Sequence, residues 1–189
     1  LNRKIIGAVL GLAIAIAAIV FILSYQPEAS PPPVGPSPHF EVIGIVASVV
    51  DGDTISVSPI WVDESIEGVT VGRNERVRFS GGIDAPEVGQ TGGEEATNFV
   101  KGLCPPRTGV YLDLDNLATY GAGPYRDIYG RLLAVIYVKI DDNWINVNAE
   151  LLRWGLEAYP QHDWLRYIHF SSEFDPYEWL AENYPYVRR

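Results

Sequence analysis

Four acidic side chains and two arginines draw attention by their spacing. Asp51 and Asp53 flank Gly52 in "VVDGDTISV", and Asp84 and Glu87 enclose Ala-Pro in "RVRFSGGIDAPEVG". In an extended segment, residues at i and i+2 point to the same side, so Asp51 and Asp53 can present two carboxylates together. Taken singly, either stretch reads equally well as ordinary turn chemistry, because Asp and Gly are the residues that turns use. Taken together, two loops that each follow a strand and each offer carboxylates suit a hard divalent cation such as Ca2+, which takes oxygen ligands at about 2.3–2.6 Å. Arg78 and Arg131 supply the complementary chemistry. A pentacoordinate phosphorus carries negative charge on its equatorial oxygens, and guanidinium forks bind such oxygens in pairs. The plainer reading of each arginine is a surface ion pair, with Asp127 standing four residues before Arg131.

Other chemistries find no support in residue type. The three histidines, His39, His162 and His169, are scattered and read as structural or solvated, so no His or Cys cluster is visible for zinc. Cys104 is the single cysteine. It excludes an intramolecular disulfide and reads as a small buried hydrophobe.

Elements to position these residues follow from patterning. "FEVIGIVASVV" and "DTISVSPIWV" are β-branched, partly alternating runs on either side of Asp51-Gly52, which predicts strand, two-residue turn, strand. "VTVGRNERVRF" predicts a third strand region leading into the second acidic loop. "GGEEATNFVKGL", with acids in its first turn and Gly102 near its end, predicts a short helix. "GVYLDLD" and "RLLAVIYV" read as strands four and five, joined by the loop "ATYGAGPYRDIYG". In "NWINVNAELLRWGL" the residues Val147, Leu151, Leu152 and Leu156 share a helical face, and Gly155 marks the expected end. The fold class is therefore α+β, mainly β: a five-stranded Greek-key barrel of the oligonucleotide/oligosaccharide-binding type (OB-fold) with two to three helices. Trp164, Tyr167, Phe170, Phe174 and Trp179 in the aromatic tail are expected to pack on the barrel.

The ordered motifs "VVDGDTISV", "RFSGGIDAPE", "DIYGRLLAVIYV" and "NVNAELLRWGL" resemble the staphylococcal nuclease (thermonuclease) family over about residues 42 to 160. The resemblance implies a calcium-dependent nuclease that hydrolyses DNA and RNA phosphodiesters at the bond to the 5′ oxygen and leaves 3′-phosphates. It implies Asp53 and Asp84 as calcium carboxylates and the Ala85 backbone carbonyl as a further ligand. Glu87 resembles the residue that activates the attacking water, Arg131 the arginine that supports the transition state, and Arg78 its partner on the metal-side phosphate oxygen. Asp51 would orient metal-bound water, Tyr129 resembles a tyrosine beside a terminal phosphate, and Tyr159 a base-stacking tyrosine. One departure stands in "SGGI": Arg78 and Asp84 are six steps apart where the family commonly has five. A glycine bulge at Gly81-Gly82 would absorb the added residue and keep Arg78 on the side of Asp84, whereas a register shift would turn it away.

Ahead of the domain, Ile5 to Leu23 is a run of 19 residues without a charge. At about 1.5 Å per helical residue it matches the roughly 30 Å hydrocarbon core of a bilayer. The expected organisation is a transmembrane anchor or cleaved signal peptide over 1–24, a proline-rich spacer over 25–38, and the folded domain over 39–189. Arg3 and Lys4 precede the apolar run, which puts the domain outside the cytoplasm, membrane-anchored or secreted. The chain carries a formal net charge of −10, and three of its 14 basic residues are lysine. Such a surface repels polyanions at long range and also fits a soluble face adapted to high salt. Two rival expectations therefore stand beside the nuclease. One is a catalytically weak module of the same fold that binds nucleic acid or protein; the other is a calcium-stabilised surface domain without turnover.

Overall fold

The computed structural model describes residues 37–118, 123–141, 143–166 and 175–183. The chain divides into the units Leu1–Val34 and Gly35–Arg189, and everything described belongs to the second. Among the described residues no helix is long and apolar enough to cross a membrane; the expected span from Ile5 to Leu23 and most of the proline-rich spacer lie outside them.

Among the described residues six strands and three helices follow in the order β1 (Val42–Val49), β2 (Thr54–Val62), β3 (Glu75–Phe79), α1 (Gly93–Leu103), β4 (Gly109–Leu114), β5 (Leu132–Ile140), β6 (Asn143–Asn146), α2 (Val147–Ala158) and α3 (Pro176–Asn183). The sheet runs β3-β2-β1-β4-β5-β6, and a further pairing of β3 with β5 closes the first five strands into a barrel. All neighbours are antiparallel except β3 and β5, which pair in parallel through Val77↔Leu132, Arg78↔Leu133 and Phe79↔Ala134. Closure removes the free edges of an open sheet. Alternation along β3 shows how the barrel sorts its side chains. Val77 and Phe79 are buried in the core, while Arg76 and Arg78 take the other face. The interior is filled by Val42, Val46, Ile55, Val57, Leu112, Leu114, Leu132 and Ile136 with their neighbours.

The expected five-stranded barrel is present, and several local expectations are corrected. Asp51-Gly52 is no two-residue turn: the last paired residues are Val49 and Ile55, and the segment between them forms a wider loop. Gly52 is buried there because a Cβ would stand 2.6 Å from the Ala85 Cβ and 2.7 Å from the Ala96 Cβ. It allows the first acidic loop to press against the second and against α1. The third strand begins at Glu75, and "VTVGRN" forms a turn with Gly72 at φ 79°. "NWIN" is the short strand β6, not helix, and α2 begins only at Val147, where the Asn146 side chain caps it by accepting from the Ala149 N–H. Gly102 is the penultimate residue of α1, near its end as expected, whereas Gly155 lies within α2, which continues to Ala158. At Gly155 a Cβ would run into the Trp164 ring. Of the tail aromatics, Trp164 is fully buried and Trp179 packs on the core, whereas Tyr167, Phe170 and Phe174 lie outside the described residues.

Candidate active site

The second acidic loop leaves β3 at Ser80, whose N–H donates to the Ala134 carbonyl of β5. Gly81 and Gly82 follow at φ 85° and 72°, in the left-handed region that glycine enters without a Cβ clash. The Arg78 guanidinium remains on the side of the acids. Its Nη2 donates to Asp84 Oδ1 at 3.0 Å and to the Ile83 carbonyl at 3.0 Å, and lies 3.4 Å from Asp53 Oδ2.

Asp53 and Asp84, 31 positions apart in sequence, thus converge on one guanidinium nitrogen. Asp53 is buried, with Oδ1 accepting from the Thr54 hydroxyl and Oδ2 from the Ala85 N–H. Burial pushes its carboxyl up to about 6, and the Asp51 charge adds to the rise, against the pull of Arg78, the Ala85 N–H and Thr54. Burial works in the opposite sense on the Arg78 cation, but Asp53, Asp84 and Asp51 together outweigh it and hold Arg78 above the ordinary arginine value. Asp51 accepts the Asp53 N–H through Oδ1, which ties the first acidic loop together.

One open cavity of about 510 Å³ collects the remaining residues. Arg78, Asp84, Glu87, Tyr129 and Arg131 line it, joined by Arg76, Ser80 and Asp115. Glu87 is exposed; its backbone bonds to Gln90, and among the described residues its carboxylate makes no hydrogen bond. Arg131 donates from Nε to Asp127 Oδ2 at 2.7 Å, the ion pair that the plainer sequence reading anticipates. Among the described residues that is its one side-chain hydrogen bond, so Asp127 fixes the arm while the terminal nitrogens stay available to an anion. Tyr129 is 77% exposed, with the Arg131 guanidinium 5.3 Å from its ring centre. Tyr159 does not line the cavity. Its ring packs on Trp154 and against Gly92, and burial together with Glu95 raises its hydroxyl pKa.

The loop that carries Arg131 is pinned from below. Arg126 donates to Glu75 Oε2 at 2.9 Å and to the carbonyls of Gly130 and Gly68, and Asp127 Oδ1 accepts the N–H groups of Tyr129 and Arg131. Arg126, Asp115 and Ser80 were not singled out by sequence reasoning. Asp127 was seen only as an ion-pair partner. Ser80 Oγ is buried and, among the described residues, without a partner. Nothing in the sequence marks it, since a serine beside two glycines reads as loop.

Two further placements bear on the excluded chemistries. Cys104 is buried, its thiol pushed up to about 12 by burial, so it stays a protonated thiol. His39, however, meets Glu41 and Asp113: one ligand atom from each lies within 4.8 Å of the others. This corrects the expectation that no histidine joins a possible metal-binding group. The cluster is separate from Asp53 and Asp84, and the tertiary fold assembles it from residues up to 74 positions apart.

The groups that Asp53 and Asp84 themselves offer a cation are oxygens: two carboxylates brought together, with the Ala85 backbone alongside. That set suits a hard cation and holds no soft ligand for zinc or copper. A closed five-stranded barrel thus brings carboxylates and arginines together in one pocket. Residues 76–168 match the model of the family described as staphylococcal nuclease homologue. Among curated relatives, the chain is 33% identical over 124 residues to "Endonuclease YhcR" of Bacillus subtilis (strain 168), an alignment covering 65% of this chain and 9% of that protein. It is 28% identical over 142 residues to "Uncharacterized protein MJ1439" of Methanocaldococcus jannaschii, covering 62% of this chain and 58% of that one. The chain therefore spans less than two thirds of the length of either relative.

Proposed function

We propose that the domain is a calcium-dependent nuclease that hydrolyses phosphodiester bonds of DNA or RNA to 3′-phosphate products, outside the cytoplasm, on a chain anchored by Ile5–Leu23. The observation that carries this reading is the shared cavity, where Glu87 and Arg131 face the Arg78–Asp84 pair. Asp53, Asp84 and the Ala85 carbonyl would hold the cation, which when bound polarises the phosphate and positions the attacking water.

The chain's own residues supply the rest. Glu87, exposed and without a hydrogen-bond partner for its carboxylate among the described residues, takes the proton of the water whose oxygen bonds to phosphorus. The bond from phosphorus to the 5′ oxygen breaks; that oxygen takes up a proton from solvent and leaves as a hydroxyl, and the phosphate stays on the 3′ oxygen. Negative charge grows on the phosphate oxygens during this exchange, and Arg131, braced at Nε by Asp127, meets it with its terminal nitrogens. Arg78 offsets the charge of the two carboxylates, so the pocket can admit a further anion.

Single-stranded DNA incubated with the purified chain, with Ca2+ or with a chelator, tests the reading. Calcium-dependent cleavage with 3′-phosphate ends is the expected result. Binding without cleavage would replace the nuclease by a nucleic-acid-binding module of the same fold. For the location, a tag at the C-terminus is expected to be accessible to protease added outside intact cells, and protection of that tag would overturn the external placement.

A further inference from the structure

We propose that His162 is a positioning residue for the acidic loop: by holding the main chain of Asp84 it keeps the Asp84 carboxylate and the Ala85 backbone opposite Asp53. This rests on the calcium reading above and adds a residue to it.

The need for such a brace comes from the loop itself. Between β3 and α1 the chain passes Gly81 and Gly82, both at positive φ, and a pair of glycines leaves the backbone with more freedom than any other residue type. A carboxylate carried on that segment needs its peptide groups tied elsewhere. Both are. The Asp84 N–H donates to the Trp164 carbonyl at 2.9 Å, and His162 Nε2 lies 2.8 Å from the Asp84 carbonyl oxygen, across 78 positions of sequence. A carbonyl can only accept, so Nε2 carries the proton in this contact. The next residue, Ala85, donates its N–H to Asp53 Oδ2 at 2.9 Å, so the hold on Asp84 passes directly to the second carboxylate.

The brace is stiff because it is built on the core. Trp164 is 1% exposed, its ring lies on Gly155 of α2, and its Nε1 donates to the Tyr159 carbonyl at 3.1 Å. The His162 ring stands edge-on to Trp164, 5.2 Å between centres and 80° between planes. The His162 N–H donates to the Tyr159 carbonyl and the Trp164 N–H to the His162 carbonyl, each at 3.1 Å. A compact turn after α2 thus presents a carbonyl and an imidazole N–H as a matched pair to the two peptide groups that flank the Asp84 Cα.

The test uses the full purified chain and compares His162→Phe, which keeps the ring packing but loses the donor, with His162→Gln, whose Nε2 can reach the same oxygen. Three quantities are read: amide hydrogen exchange at Asp84 and Ala85, Ca2+ affinity by calorimetry, and kcat and KM on single-stranded DNA at saturating Ca2+. Outer hydrogen-bond partners of metal ligands typically shift metal affinity or activity by about 10–100-fold. His162→Phe is expected to weaken Ca2+ binding on that scale and to speed exchange at Asp84 and Ala85, with KM for DNA within about twofold of the parent. His162→Gln is expected to restore affinity and protection to within about threefold. Parent-like exchange and Ca2+ affinity in His162→Phe overturn the inference and leave the calcium reading standing. A parent chain that binds no Ca2+ overturns both. Should His162→Phe fail to fold, His162→Asn, whose amide is too short to reach the carbonyl, replaces it in the same measurements.

Discussion

Asp53 and Arg131 carry the predictions that belong to single residues. Asp53 has its folded-state pKa raised from 3.8 to about 6 by burial, which fixes the sign of a pH effect. Below about pH 4 the carboxyl is protonated in both folded and unfolded chains and contributes no difference. Between about 4 and 6 the folded chain keeps a proton that the unfolded chain has lost, so stability falls as pH rises; above about 6 the loss is complete, near 3 kcal/mol. Asparagine imitates the protonated carboxyl. Urea unfolding in chelator is therefore expected to find Asp53→Asn more stable than the parent by about 1–3 kcal/mol at pH 8 and equal to it near pH 4, with no further gain on adding Ca2+. Equal stability at both pH values would contradict a carboxyl whose pKa burial raises. Arg131 meets charge only as it develops on phosphate, and such an arginine can be worth about 10³–10⁵ in rate. Arg131→Ala is expected to lose kcat on that scale with an unchanged circular dichroism spectrum. Near-normal turnover would remove Arg131 from the mechanism.

At the scale of elements, Asn148 joins what the sequence keeps apart. It is fully buried on α2; its Oδ1 accepts the Ile136 N–H at 3.0 Å, and its Nδ2 donates to the Ala134 carbonyl at 3.1 Å and the Ser80 carbonyl at 3.3 Å. One side chain thereby ties α2 to β5 and to the start of the acidic loop. Asn148→Ala strands the buried Ile136 N–H and the Ser80 carbonyl, each costing about 1–3 kcal/mol when left unmet, while the Ala134 carbonyl keeps the Ser80 N–H. Chemical denaturation is expected to register a loss of about 2–4 kcal/mol overall, because the neighbours relax in part; a loss below about 0.5 kcal/mol would mean that water or a shifted helix takes over the bonds. The same helix shows why Gly155 is no terminator. Its position near the end of a periodic run looks like one, yet the helix continues to Ala158, and the missing Cβ makes room for the Trp164 ring. Terminators and packing glycines look alike along the chain, and they separate only once the partner surface is known.

Over the whole molecule the acidic balance sets the prediction. A formal charge of −10 opposes approach of a polyanion beyond the pocket, although the pocket itself holds Arg76, Arg78 and Arg131. Salt screens exposed charges over about 10 Å at 0.1 M and less as it rises, so it weakens the long-range repulsion before it reaches the buried contacts of the site. At saturating Ca2+, kcat/KM on single-stranded DNA is expected to rise several-fold between about 0.01 and 0.5 M monovalent salt, opposite in sign to the usual behaviour of a basic nucleic-acid binder. A monotonic fall with salt would mean that local positive potential at the pocket governs encounter and that the acidic surface has no part in it.

The strands with clean alternation, the amphipathic face of α2 and the order of the acidic and arginine motifs were legible along the chain, because side-chain period and residue chemistry are local properties. So was the chance of a bulge at Gly81-Gly82, since two glycines invite positive φ. What remained hidden depends on partners distant in sequence. Gly52 packs against Ala85 and Ala96, the brace on Asp84 comes from His162 and Trp164, and Asn148 bonds to Ala134 and Ser80. Sequence by itself determined which groups are present and in what order along the barrel. The tertiary structure alone decided which of them share a pocket, because hydrogen bonds and close packing act through space at about 3–4 Å, whatever the separation along the chain.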